Sequence, residues 1–582
     1  HGATATQTIA PKHLNPDTLM LLPDKVGTHI TRSFALMLLC LLCCGTMHAT
    51  RQERLVENWR PVHYDVALTF DDQLSALTSA ETQITLVVLR APLQVIDLDF
   101  GTLPVDGVRV GTEEARFEQR AGRLNVTLPH PAQAQTHLTL SVTYHGRPAD
   151  GLVLANDKDG HPAATGDNWP DRVHNWIPSL DHPAAKATVN FTVTAPARDT
   201  VIANGQLMNK VAAGSDRQTW TFSERAPVPP YCMIVAVGEF AEVVPPQLLA
   251  DGQAGVLLAY YVVPSEQARA LAGFGAASPA LHFFSQKIAP YPYEKLAHIV
   301  GATRFGGMEN TSAIVYASTL LDPNPSAPLD EYFHVRRSVV EVVAHETAHQ
   351  WFGDAVTPAT WADLWLSEGF ATYWAGLFIE HAESRTNFLK FMRRHADTYL
   401  NYERKRRAPI YDVDTLKLND LLNENNYQKG AWVLHMLRAQ LGDASFFAGL
   451  RRYYQMHAGG TATTEDLRAA LEQTSGRPLR EFFARWVYAS GHPHYELSWA
   501  WRRRGRQDGT LTLTLRQTQA DAPFLTPLPV KVVHRDGARQ VMLHPAGRTT
   551  VARLPDAQQP TEVLLDPDET VLKEASVVAE RH

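Results

Sequence analysis

The feature that most constrains the fold is a change in the spacing of apolar residues along the chain. From about Val62 to Pro264, apolar and polar residues alternate over short segments, with Gly, Pro and Asp between them. A period of two is typical of strands with one buried face, so this region is predicted to form antiparallel β-sheet. Beyond Ser265 the spacing becomes helical, and from Tyr495 the period of two returns. The chain is therefore predicted to be an α+β protein of several domains.

The segments that carry these patterns set the expected domain organisation. Strands are expected at His63–Phe70, Thr136–Tyr144, Lys186–Val193, Leu511–Leu515, Val530–Val533 and Thr561–Leu565, with an Asp536-Gly537 turn. Helices are expected at Leu281–Ile288, Tyr332–Phe352, Leu364–His381, Lys429–Leu441 and Thr464–Glu472. The predicted boundaries are 1–49 for an upstream segment with a signal peptide, 50–264 for a β domain, 265–494 for a helical domain and 495–582 for a small β-sandwich.

Composition limits the class of partner. The 582 residues are 45% hydrophobic and 20% charged, which is typical of a globular protein with more than one domain. The net charge is −7, and no long block of Lys and Arg is present. Nucleic-acid binding requires a basic surface that neutralises phosphates, so we expect no nucleic-acid partner.

An apolar run at Phe34–Cys44 follows Lys25 and Arg32 and contains three of the four cysteines. It is shorter than the ~20 apolar residues that span a bilayer, so it is interpreted as a signal peptide of a secreted or periplasmic protein. The alternative is a membrane anchor, if the run stays uncleaved. Cleavage would leave only Cys232, and no intrachain disulfide could form.

The segment His345-Glu346-x-x-His349 places two histidines four residues apart. On a helix the two rings project from one face, where they can bind one zinc ion per chain. A catalytic zinc ion takes three protein ligands and keeps one position for water. Glu368, in a second predicted helix, is the best candidate for the third ligand.

Glu346 lies between the histidines in sequence, near the metal without having to bind it. Zinc lowers the pKa of its bound water to ~7, and a neighbouring carboxylate can accept the proton and pass it to a leaving amine. Glu346 is therefore the predicted general base. The expected reaction class is metal-assisted hydrolysis.

Three motifs in order resemble a known family. They are Gly306-Gly307-Met308-Glu309-Asn310, the two histidines followed after eighteen residues by Glu368, and Asn426-Tyr427-Gln-Lys-Gly430. From about Val62 to Leu565 the chain resembles the aminopeptidase N type of zinc metallopeptidase, in the gluzincin clan that includes leukotriene-hydrolase-type enzymes. The resemblance implies a saddle-like N-terminal antiparallel β-sheet domain, a thermolysin-like and mainly helical catalytic domain, and a C-terminal β-sandwich. The chain departs from many relatives in one respect, since it is expected to be a short form without their helical C-terminal domain.

The same resemblance implies roles for the motif residues. Gly306 to Asn310 would form an edge strand that pairs with substrate backbone, and Glu309 would bind the free amino terminus of a peptide. Tyr427 would donate a hydrogen bond to the oxyanion. Relatives carry a second amine contact, a Gln or Glu, in the N-terminal domain; here Asp167 and Asn168 are the available substitutes.

Other activities remain open at this stage. A thermolysin-type zinc endopeptidase shares the histidine motif, although the segment at Glu309 argues against it. Epoxide hydrolysis occurs in part of the family that this chain resembles. An inactive peptide-binding module is a third alternative, although a pure binder would not need Glu346. The sequence favours an aminopeptidase that acts on peptides with a free N-terminus.

Overall fold

The computed structural model describes residues 51–245, 256–322, 338–504 and 508–580. The predicted signal peptide lies outside these ranges and stays a prediction. So does the first part of the helix expected at Tyr332–Phe352. Among the described residues, no helix is both long enough and apolar enough to cross a bilayer.

The N-terminal region is built of strands. They are β1 Trp59–Phe70, β2 Leu77–Val88, β3 Leu93–Asp99, β4 Val105–Val110, β5 Glu113–Glu114, β6 Arg116–Arg120, β7 Arg123–Ala132, β8 His137–Gly146, β9 Leu152–Asn156, β10 Pro162–Gly166, β11 Ala187–Pro196, β12 Thr200–Ala203, β13 Gln206–Ala212, β14 Arg217–Val228 and β15 Val235–Gly238. They form sheets in the orders β13-β14-β11-β1-β2-β8-β4-β5, β3-β7-β6 and β12-β15-β10-β9. Alternation in β1 buries Tyr64, Val66, Leu68 and Phe70 on one face, which confirms the predicted β region.

The prediction that these strands are antiparallel is wrong at one central position. β1 pairs with β2 antiparallel but with β11 parallel, so that Asp65 lies opposite Asn190. Alternation reports which faces of a strand are buried, and it contains no information on the direction of a neighbour.

A further, five-stranded sheet contains the edge strand on which the site is built. Its strands are β16 Ala241–Val243, β17 Leu257–Val262, β18 Lys295–Gly301, β19 Gly307–Met308 and β20 Ala313–Ala317. The order is β16-β17-β18-β20-β19, so β19 is an edge strand and the sheet extends across the boundary predicted at residue 264. β18 was not predicted from the sequence, because this strand is buried on both faces and shows no alternation.

Nine helices follow in the described part of the chain. They are α1 Gln267–Gly273, α2 Ala277–Lys287, α3 Val339–His349, α4 Trp365–Ala382, α5 Arg385–Glu403, α6 Gly430–Leu441, α7 Asp443–His457, α8 Thr464–Ser475 and α9 Arg480–Trp486. Within the described residues the expected helical segments are confirmed, that at Tyr332–Phe352 over Val339–His349. Helices α1, α5, α7 and α9 were not predicted. Residues 365–379 of α4 are all buried, which makes α4 the central helix of this region.

The remaining strands are two short ones among the helices and seven at the C-terminal end. They are β21 Val356–Pro358, β22 Gly460–Ala462, β23 His494–Arg503, β24 Gly509–Gln517, β25 Leu528–His534, β26 Gly537–Leu543, β27 Thr549–Pro555, β28 Glu562–Leu565 and β29 Glu574–Ala579. The last seven form sheets in the orders β27-β24-β23-β29 and β26-β25-β28, as expected for a small β-sandwich. Their inward residues, such as Leu513 and Val532, join the same core as the helices.

Candidate metal centre and active site

Helix α3 presents the two histidines. It begins with a capping box in which the Ser338 side chain accepts from the Glu341 amide and Glu341 accepts from the Ser338 amide. One turn separates His345 from His349, and their Nε2 atoms lie 3.1 Å apart in a buried position. The cap fixes where the helix starts, and the spacing of four fixes the face on which both rings lie.

Helix α4 brings Glu368 to the same point from its first turn. The Oε2 atom of Glu368 lies 3.4 Å from Nε2 of His345 and 3.4 Å from Nε2 of His349. Two atoms bound to one tetrahedral zinc ion with bonds of about 2.0–2.2 Å lie about 3.3–3.6 Å apart. The two separations from Glu368 lie in this range, and that between the histidines, 3.1 Å, is just below it, so a small adjustment of one ring brings all three to one zinc ion. The donor set of two imidazoles and a carboxylate is one that zinc prefers.

The electrostatics of this triad favour a cation. Burial alone lowers the pKa of His349, but Glu368, Glu309 and Glu346 outweigh it and raise that pKa to about 10. Burial alone raises the pKa of Glu368, but the two histidines hold it well below its ordinary range. In the metal-free site, the buried carboxylates thus stabilise a proton on the His349 ring. A bound metal ion would place a larger positive charge beside the same carboxylates.

Two groups orient the His349 ring. Its Nδ1–H donates to the carbonyl of Phe352 at 3.2 Å, and Ser367 Oγ lies 3.0 Å from the same nitrogen. A partner on Nδ1 fixes the tautomer in which Nε2 keeps its lone pair for a metal. Ser367 was not predicted from the sequence, although its place directly before a predicted ligand was a usable signal.

The segment at β19 meets Glu346. A Cβ atom added to Gly307 would lie 2.5 Å from the carboxylate carbon of Glu346. Only a residue without a side chain leaves that space to the carboxylate. The second glycine of the motif therefore allows the edge strand to approach the predicted general base.

Glu309 follows β19 directly and is buried. Oxygens of Glu309 and Glu346 and a ring nitrogen of His349 all lie within 4.8 Å of one another. Burial raises the pKa of Glu309 to about 7; His349 lowers it and Glu368 raises it further. The carboxyl group is thus placed where a neighbouring cation would favour its ionised form.

Gln350, directly after α3, connects this helix to the segment that follows β19. This contact was not predicted from the sequence. Gln350 Nε2 donates to the Glu309 carbonyl at 3.1 Å and to Asp354 Oδ2 at 2.8 Å. Its Oε1 accepts from the Ser312 amide at 2.8 Å. Since Gln350 follows His349, these bonds fix the distance between Glu309 and the histidines.

Tyr427 lies in a single π-helical turn, Asn425–Lys429, that leads into α6. Its ring stacks on the ring of His345, with centroids 5.9 Å apart and planes 6° from parallel. Turns of this kind are frequent at functional sites. The turn places the phenol beside the predicted ligands, where it lines the same cavity as Glu346.

One cavity gathers most of the predicted residues. It is lined by Trp169, Phe305, Gly306, Gly307, Met308, Glu309, Val342, His345, Glu346, His349, Glu368, Leu422 and Tyr427. Asn310 is fully buried and is not among the lining residues. The N-terminal region contributes Trp169, which the sequence analysis passed over in favour of its neighbours Asp167 and Asn168.

Those two neighbours already have hydrogen-bond partners. Asn168 donates from Nδ2 to the Met233 carbonyl at 2.5 Å and accepts from Trp176 Nε1 at 2.8 Å. Asp167 Oδ2 accepts from Arg172 at 2.8 Å. Both side chains therefore have structural partners, and Asn168 has one on each amide atom.

Comparison with known families decides which group of proteins this arrangement belongs to. The Peptidase M1 N-terminal domain matches residues 60–232, and the Peptidase family M1 domain matches residues 273–486. Together the two spans cover more than half of the chain, and the second contains His345, His349 and Glu368. The chain belongs to peptidase family M1.

Several M1 relatives carry names that describe an activity. This M1 chain is 25% identical to a leucyl aminopeptidase of Saccharolobus solfataricus over 76% of its own length and 55% of the relative's. It is 28% identical to a glutamyl aminopeptidase of Rattus norvegicus over 80% of its own length and 50% of the relative's. The chain thus spans about half the length of the curated relatives it matches.

A solved M1 structure has a more similar length. The crystal structure of a mutant M1 zinc metallopeptidase from Deinococcus radiodurans matches with a TM-score of 0.62 and 26% identity. The match covers 74% of this M1 chain and 94% of that protein.

Proposed function

We propose that this M1 protein is a zinc aminopeptidase that removes the N-terminal residue from peptides. The observation that carries the proposal is the buried Glu309 carboxylate, held at the end of an edge strand beside a triad whose separations fit zinc. A metal triad alone would serve any hydrolase of this type. A fixed carboxylate beside it selects substrates by their free ammonium group.

The chain's own residues account for the metal site. His345, His349 and Glu368 would hold zinc, and a zinc ion bound there supplies a Lewis acid for peptide hydrolysis. Ser367 and the Phe352 carbonyl keep His349 in the tautomer that binds a metal.

Glu346 and Tyr427 handle the proton and the developing charge. Glu346, held against Gly307, accepts the proton of the attacking water and later delivers it to the leaving amine. Tyr427 donates its hydroxyl hydrogen to the oxyanion of the substrate carbonyl, which gains charge only in the transition state. Both side chains line the cavity, so neither has to move far to reach a substrate there.

The edge strand and Glu309 set the position of the peptide. Among the described strands, β19 pairs only with β20, so a substrate backbone can add as a further strand on its other side. Glu309 then binds the α-ammonium group. A chain that extends past Glu309 would bury an uncharged peptide group against a carboxylate, which is unfavourable.

The test uses a series of matched peptides with free and acetylated N-termini. We expect release of the first residue from free peptides and essentially no turnover of acetylated ones, since acetylation removes the charge and its hydrogen-bond donors. Internal cleavage of acetylated peptides at similar rates would identify a zinc endopeptidase. Binding of free peptides without any turnover would identify an inactive peptide-binding module.

A further inference from the structure

A second group of metal-type ligands lies outside the cavity, where the helical region meets the β-sandwich. His494 begins β23, His492 lies two residues before it, and Glu574 begins β29. The two strands pair in parallel with His494 opposite Glu574. One ligand atom from each of the three side chains lies within 4.8 Å of the others.

His492 lies beside a carboxylate from a third element. It is 3% exposed, and its Nδ1 lies 2.7 Å from Oε2 of Glu403 at the end of α5. Arg407 in turn holds the other oxygen of Glu403 at 3.0 Å. A carboxylate on one ring nitrogen is the usual arrangement behind a histidine that binds a metal through the other nitrogen.

The second ring nitrogen of His492 faces the remaining two side chains. Neither ring nitrogen of His492 makes a hydrogen bond among the described residues, and its Nε2 lies 4.0 Å from Oε1 of Glu574. Nδ1 of His494 lies 3.8 Å from Oε2 of Glu574. Arg404 contacts Oε1 of Glu574, which leaves Oε2 directed toward His494.

We propose that His492, His494 and Glu574 form a second site for a divalent transition metal such as zinc, with Glu403 as the group that orients His492. Two imidazoles and a carboxylate are donors that zinc accepts, and water can complete a tetrahedron. The separations are wider than the 3.4 Å of the catalytic triad. Glu574 lies on the edge strand β29 and His494 on its neighbour β23. Both side chains are partly exposed, so they can move closer together to bind an ion.

Such an ion would connect three parts of the fold. Glu403 ends α5, the histidines begin the sandwich, and Glu574 starts its last strand. The site shares no residue with the catalytic cavity. It is therefore a structural site, and it stands or falls independently of the proposed aminopeptidase activity.

The test measures zinc binding in the full chain by metal analysis and calorimetric titration with zinc alone. The intact protein should bind two zinc ions per chain. The variant His345→Ala/His349→Ala, which lacks the first site, should still bind one. Adding His494→Ala or Glu574→Gln to that variant should remove the remaining ion.

Further variants separate ligation from general effects. Glu403→Gln should lower the zinc affinity of the second site by about 10- to 100-fold, as expected for a residue that orients a metal ligand. His130→Ala is a matched control, because His130 also lies 3.8 Å from a surface carboxylate, that of Glu113. Circular dichroism checks that each variant is folded. The proposal is overturned if the first-site variant binds no zinc, or if its binding is unchanged in both folded variants at His494 and Glu574.

Discussion

Glu346 occupies a position where proton transfer can be separated from metal binding, because it lines the cavity between two predicted ligands without being one of them. We predict that Glu346→Gln keeps zinc and loses turnover by about 100-fold or more, the range expected for a general base. The amide preserves volume but cannot accept a proton. Metal content and kcat measured on the same sample check this. Loss of the metal, or activity within about tenfold of the parent, would contradict the assigned role.

Glu309 gives the second prediction at this scale. Glu309→Ala should lower kcat/KM for free-amine peptides. The corresponding activation free energy should rise by about 2–4 kcal/mol, the usual result of leaving one member of a buried charge pair alone. The effect should be at the upper end, because neither Asp167 nor Asn168 lines the cavity and Asn168 already has a partner on each amide atom. Zinc content should not change.

The readout is a comparison of free and acetylated peptides with parent and variant. If Glu309→Ala kept the full preference for free amines, another group would bind the ammonium and Glu309 would lose its role.

Sequence predicted the residues of the site better than their partners. The spacing of His345 and His349 fixes a shared helical face, and the order of the motifs is enough to point to Glu368. Gln350 and Trp169 could not be found in the same way. Gln350 contacts Glu309, 41 residues away in sequence, and such a contact depends on how the edge strand packs against α3.

At the scale of elements, α4 and α6 touch through their backbones. A Cβ atom added to Gly369 would lie 2.9 Å from Cα of Gly430 and 3.0 Å from the carbonyl oxygen of Asn426. Glu368 precedes the first of these residues, and Tyr427 precedes the second by one turn. The close contact therefore sets the positions of the proposed metal ligand Glu368 and the proposed oxyanion donor Tyr427 together.

We predict that Gly369→Ala destabilises the protein by about 1–3 kcal/mol, as overpacking does, and also lowers both zinc affinity and kcat. Gly449→Ala in α7 is the control, because the added atom would meet the Leu471 side chain at 2.7 Å, away from the cavity. Thermal melts, zinc titration and kinetics on both variants distinguish the two. A Gly369→Ala variant with normal zinc affinity and kcat would show that the helix contact does not position the site.

The elements also show where pattern analysis fails. The sequence predicted a helix from Lys429, but the structure has a π-helical turn before α6 that includes Lys429. One extra residue in a turn leaves no periodic signal in the sequence, since the pattern on either side stays helical. That turn nevertheless decides that the Tyr427 ring lies over His345.

At the scale of the whole molecule, zinc and the carboxylates around it should couple stability to pH. In the metal-free protein, the raised pKa of His349, about 10 against an ordinary 6.5, means that protonation of this ring stabilises the fold. This contribution is fully present below about pH 6.5 and is lost as the pH rises toward 10.

We therefore predict that removal of zinc by a chelator lowers Tm, and that the loss grows from pH 6.5 upward. Free zinc at about 100 times its Kd should raise the free energy of unfolding by about 2.7 kcal/mol. Melting curves with and without chelator over this pH range test the sign. A loss of Tm that shrinks as the pH rises would contradict it.

The large-scale architecture was predictable only in outline. Periodicity gave the order of β, helical and β regions, and the comparisons support that order through the M1 N-terminal and catalytic domains. It did not give the sheet that extends across residue 264, because β18 is buried on both faces. The cavity depends on that sheet, since Glu309 follows its edge strand.

The parallel pair of β1 and β11 has a consequence in time. Asp65 and Asn190, which face each other across this pair, are 125 residues apart. At a synthesis rate of about 5–20 residues per second, β1 would leave the ribosome roughly 6–25 s before its partner. Through that interval β1 can pair with β2 on one side only. The open edge of β1 is therefore a property of the growing chain, and it disappears when β11 arrives.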